Sequence, residues 1–95
     1  MTLEEFHRSL AEAAPPAGLP TPLLALWWDG RGDWHRAHEA AQAGEDSDSA
    51  WVHAYLHRKE GDLANAGYWY RRAGKVMGKG ALEDERGVIV KVLLG

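Results

Sequence analysis

Apolar side chains return every three to four residues along most of this chain, the period of helices that bury one face. Leu3, Phe6 and Leu10 fall on one such face. Thr2 and Glu5 stand at capping-box spacing before them, which predicts a helix to about Ala14, where Pro15-Pro16 ends it. A stiff linker through Thr21 leads to Pro22, well suited to a first helical turn, and to a second helix carrying Leu23, Leu24, Leu26, Trp27 and Trp28. Gly30 and Gly32 stop it. Asp33 is then the expected N-cap of a third helix through about Ala43, with Trp34, Ala37, His38 and Ala41 facing inward. Gly44 and the acidic stretch Glu45 to Ser49 make the turn and cap for a fourth helix, Ala50 to Glu60. Gly61 closes that helix, and Asp62 caps a fifth running to about Met77. After Gly78 and Gly80 the segment Ala81 to Leu94 puts Glu83, Asp84 and Glu85 in a first turn, where the helix dipole favours them. It aligns Ile89, Val90, Leu93 and Leu94 on one face. Val88 to Val92 also has strong β propensity, but a lone strand would leave its backbone groups unpaired, so a helix is expected.

A repeat emerges when residue 23 is laid on residue 52. Ala25 then meets Ala54, Gly32 meets Gly61, Asp33 meets Asp62 and Ala37 meets Ala66, a period of 29 residues. The Gly-Asp pairs mark tight turns between antiparallel helices. The alanines mark where those helices cross too closely for a larger side chain.

This pattern resembles the tetratricopeptide repeat family. Ala54, Gly61, Asp62, Ala66, Tyr70 and Ala73 match that family's small, turn, small, aromatic and small positions in one unit, and Ala25, Gly32, Asp33 and Ala37 match in the other. The period is shorter than the ~34 residues of that family, and Ala41 stands where Tyr70 supplies the aromatic. The run from Trp51 to Asp62, with Tyr68 to Ala73, also resembles a group of small uncharacterised bacterial proteins, a resemblance that implies no activity. The expected architecture is therefore a single all-α domain of residues 1–95. It has six helices, two TPR-like hairpins at about 22–43 and 49–77, and a capping helix at each end; because solenoids normally need about three units, a homodimer could add to the caps.

Composition narrows the chemistry. With 95 residues there is room for one core, to which five tryptophans contribute. The absence of cysteine excludes disulfides, thiolate zinc sites, iron–sulfur clusters and cysteine nucleophiles, and a cytoplasmic setting is expected. No apolar run approaches the ~20 residues needed to span a bilayer, and the N-terminus lacks the basic head and apolar run of a signal peptide. The net charge of −3 offers no global attraction to nucleic acid, but it is unevenly divided. Residues 1–48 hold three Lys/Arg against nine Asp/Glu, about −6, and residues 49–95 hold eight against five, about +3. That asymmetry suits docking of one half on the other or a basic patch on the later helices.

Three constellations carry candidate chemistry. On a TPR-like layout, Trp51, Tyr55, Arg58 and Lys59 line the concave face of the second unit, an aromatic platform ending in two cations. The resemblance and the pattern together imply an interaction module for a protein or acidic peptide, with no cofactor. His53 and His57 lie one helical turn apart, the spacing with which two imidazoles bind one metal, and this makes metal or haem binding the alternative. Glu60, or His38 from the preceding helix, would have to approach to complete such a site. Tyr68-Trp69-Tyr70-Arg71-Arg72, with Lys75 and Lys79, interleaves aromatic and basic residues as nucleic-acid binders do, but helical spacing scatters these rings over different faces. Tyr70 is expected in the core, Trp69 toward the C-terminal helix, and the arginines beside Glu83 to Glu85. No pattern unites a nucleophile, a base and an orienting group, so enzymatic activity is not expected.

Overall fold

A computed structural model describes all 95 residues as six helices without strands: α1 (Leu3–Ser9), α2 (Thr21–Gly30), α3 (Trp34–Ala43), α4 (Ser47–Glu60), α5 (Leu63–Ala73) and α6 (Leu82–Leu94). None is long and apolar enough to cross a membrane. The caps follow the sequence. Thr2 and Glu5 form the reciprocal capping box, and Asp33, Asp46 and Asp62 accept from the amides of Arg36, Ser49 and Asn65, satisfying donors that the helix cannot.

The two Gly-Asp turns are alike. Gly32 (φ 78°) and Gly61 (φ 89°) adopt left-handed backbone, which only glycine enters without strain. In each turn the following aspartate amide donates 3.0 Å back to a carbonyl five residues earlier, Asp33 to Trp28 and Asp62 to His57. The donors and the acceptors are both 29 residues apart. Ala37 and Ala66 are each fully buried, and the helices on either side of these turns pack together, α2 with α3 and α4 with α5.

Two helices stop earlier than their patterns predict. α1 ends at Ser9 instead of near Ala14, because the Arg31 guanidinium takes the carbonyls of Leu10 (2.7 Å) and Glu12 (2.9 Å) that a longer helix would turn back on itself. α5 ends at Ala73 instead of near Met77, because Gly74 turns left-handed (φ 70°) and closes the helix as Gly61 closes α4. α4 starts three residues earlier than predicted, capped by Asp46.

α4 is the central helix, packed by α2, α3, α5 and α6, so every residue from Ser49 to His57 is buried. A helix covered on all sides must find partners for whatever polar groups it carries. Those partners define both candidate sites.

Candidate metal centre

Helical spacing and burial together build the first cluster. His53 and His57, one turn apart on α4, are 2% and 6% exposed, and α3 lies close enough for His38 to join them. Nε2 of His38 and Nε2 of His53 are 3.0 Å apart. Each of the three imidazoles offers a ring nitrogen within 4.8 Å of the others. Indoles hold two of the rings: Trp34, one turn before His38, stacks on it at 4.9 Å between centroids and 9° between planes, and Trp69 of α5 stacks on His53 at 3.9 Å and 17°. Trp34 is itself fixed by its Nε1, which donates to the Leu56 carbonyl at 2.9 Å.

The third ring is held by a carboxylate. His57 Nδ1 lies 2.7 Å from Glu60 Oε1 across the last turn of α4. A carboxylate only accepts, so in the neutral ring Nδ1 carries the proton and Nε2 keeps its lone pair. This is how outer-shell carboxylates fix the tautomer of a metal-ligating histidine.

Electrostatics favour lone pairs over charge. Burial, and then the His38 and His57 imidazoles, push the His53 pKa down to about 4, and burial followed by His57 lowers that of His38. Both rings are therefore neutral near pH 7, the state in which imidazole binds metal. His53 Nδ1 is buried without a hydrogen-bond partner, a cost on the order of 1–3 kcal/mol for an orphaned polar atom.

A tetrahedral ion with bonds of about 2.0–2.1 Å to nitrogen sets its donors about 3.3 Å apart. The His38–His53 pair already stands at 3.0 Å, and the set as a whole needs a shift of about 1.5 Å, within reach of side-chain rotation. Donors supplied by imidazole alone suit Zn2+, Cu2+, Ni2+ or Co2+ better than Mg2+ or Ca2+, which prefer oxygen.

The residues of the expected concave face lie along α4, but they are taken up by other parts of the chain, Arg58 by α6 and Tyr55 and Lys59 by Asp29 of α2. Trp51 is 7% exposed with the Lys75 ammonium 4.3 Å above its ring, and the Tyr55 hydroxyl donates to Asp29 at 3.1 Å. Arg58 donates to Glu85 at 2.8 Å and to the Gly80 carbonyl, while Lys59 Nζ lies 2.7 Å from Asp29. Every one of the four is thus engaged within the chain. Glu85 also accepts from the Tyr70 hydroxyl, so Arg58, and neither Arg71 nor Arg72, is the cation paired with the first turn of α6.

Of the expected metal residues, the structure joins His53 and His57 with His38 and places Glu60 against His57. Trp69 packs on His53 instead of on the C-terminal helix. The roles of Trp34 and Trp69 escaped the sequence reading, although the Trp34–His38 spacing of four residues signals stacking on one face. No protein-family model matches the chain, and no curated protein or solved structure shows significant similarity to it.

Proposed function

We propose that the protein binds a divalent transition-metal ion of borderline softness, of the Zn2+ or Cu2+ class, through His38, His53 and His57. The observation that carries this reading is the convergence of three imidazole nitrogens from two helices within 4.8 Å, with the Nε2 atoms of His38 and His53 3.0 Å apart. Neutral rings, stacked indoles and a carboxylate on the outer side of His57 all favour ligation. Haem fits less well than an ion, because His53 and His57 are buried and no cavity lined by the three histidines offers space for a macrocycle.

A peptide-binding role for Trp51, Tyr55, Arg58 and Lys59 has weaker support, since Trp51 and Tyr55 are buried and Arg58 is paired with Glu85 of α6, which leaves Lys59 as the exposed member. The matching hydrogen bonds of the two Gly-Asp turns support reading the hairpins as TPR-like units.

Calorimetric titration of metal-free protein with Zn2+ tests the metal reading. One ion per chain is expected, with a melting temperature that rises as free Zn2+ exceeds Kd; a hundredfold excess adds about 2.7 kcal/mol of stability. His38→Ala, at a half-buried position that tolerates truncation, should remove most of that gain while keeping the helical circular dichroism. No binding by the wild-type chain would end the proposal.

A further inference from the structure

Glu60 and Asp62 flank Gly61 at the tip of the α4–α5 turn, and His57, Glu60 and Asp62 form a second set of possible ligands, again with all three donor atoms within 4.8 Å. His57 belongs to both sets. One set is buried imidazole, whereas the other brings two carboxylates to the surface: the Glu60 side chain is 37% exposed and Asp62 is exposed. Asp62 uses its oxygens on Asn65, accepting from the backbone amide at 3.2 Å and from Nδ2 at 3.4 Å. Glu60 contacts only His57 among charged groups, and neither carboxylate meets a lysine or arginine within ion-pair distance.

Resting on the metal-binding reading, we infer that Glu60 and Asp62 form an outer capture subsite, which takes the divalent ion from solvent and passes it over His57 into the His38–His53–His57 centre. Neutral imidazoles exert little long-range pull on a hydrated cation, while two adjacent carboxylates without a cationic partner do. Trp34 covers one face of His38 and Trp69 one face of His53, so those sides of the rings are closed. The α4–α5 turn is where exposed donors adjoin a buried ligand. His57 can serve either set, because a neutral imidazole moves its single proton to whichever nitrogen is not coordinated. The transfer exchanges ligands only: water and carboxylate oxygens leave the ion as imidazole nitrogens replace them.

Stopped-flow mixing of the full chain with Cu2+ at low ionic strength, followed by quenching of tryptophan fluorescence, separates capture from final binding. The E60Q/D62N variant removes both charges but keeps a side-chain oxygen for the His57 nitrogen and another for the amide cap of α5. The association rate constant should fall about tenfold. In about 0.5 M salt the difference in rate from wild type should shrink. A rate within about twofold of wild type at low salt would overturn the capture subsite and leave the metal centre standing. Wild-type protein that shows no quenching, or H38A that quenches as fast and as tightly as wild type, would remove the metal centre and the capture subsite together.

Discussion

His53 is a titratable ring sealed inside the central helix, and its environment links protonation to folding. Its ordinary value is near 6.5 in the unfolded chain, whereas burial and two neighbouring imidazoles hold it at about 4 in the fold. Between those values the unfolded chain binds the proton and the folded chain does not, so acid favours unfolding. The stability present above pH 6.5 is therefore lost progressively as pH falls toward 4, by on the order of 2–3 kcal/mol from this residue. The lowered value of His38 acts in the same direction. Urea midpoints of metal-free protein across this window should fall more steeply for wild type than for His53→Gln, whose side chain does not titrate. Equal slopes would mean that the ring finds water or a counter-charge in the fold. Because metal competes with the proton for the same lone pairs only in the folded chain, saturating Zn2+ should raise the wild-type midpoint at neutral pH and make its fall with acid steeper.

At the scale of elements, the sequence announced what local chemistry enforces. Asp33 and Asp62 had to cap because each precedes a helical pattern and follows a glycine, and both accept the expected amide. All six helices keep at least one end within a residue or two of its predicted place. Misplaced ends trace to causes that periodicity does not carry. Arg31, 19 and 21 residues away in sequence, decides where α1 stops, and Gly74 stops α5 inside a run of helix-favouring neighbours. The candidate centre was half legible: His53 and His57 declare themselves by spacing, but His38 joins them only because α3 packs on α4, a tertiary fact. Trp69 was misjudged for the same reason, since its helical position allows either neighbour and packing selects His53. The repeat makes a sharper demand. Ala37 and Ala66 are fully buried, so Leu at either position must displace whatever packs on α3 or α5 there. Each substitution should cost about 1–3 kcal/mol in denaturant unfolding. Ala66→Leu should in addition weaken Zn2+ binding if it moves Trp69 off His53, whereas substitution of the exposed Ala64 with Leu should do neither.

At the scale of the whole molecule, Asp29 joins what the charge asymmetry only suggested. Its carboxylate, 1% exposed, sits on the acidic half and accepts from Tyr55 at 3.1 Å, Lys59 at 2.7 Å and Arg86 at 2.9 Å, all from the basic half. Arg86 also donates to the Leu26 carbonyl, so α2, α4 and α6 are fastened at one point. A buried ion network of this kind adds little over an apolar core of the same shape, but removing a single member leaves its partners unpaired. The three arms differ in exposure. The Lys59 side chain is 39% exposed, so Lys59→Met should cost under about 1 kcal/mol, water replacing most of what is lost. Asp29→Ala is different: it strands the Tyr55 hydroxyl in a residue 2% exposed and leaves Arg86, 17% exposed, without its carboxylate, a loss of about 3–5 kcal/mol. Hydrogen exchange should locate the damage. In Asp29→Ala the amides of α6 should lose more protection than those of α5, because α6 is tied to α2 through Arg86 while α5 packs directly along α4. Uniform loss of protection over all helices would instead mean that α6 opens only with the rest of the fold. The cover over Tyr55 and Arg58 would then be as permanent as the core itself.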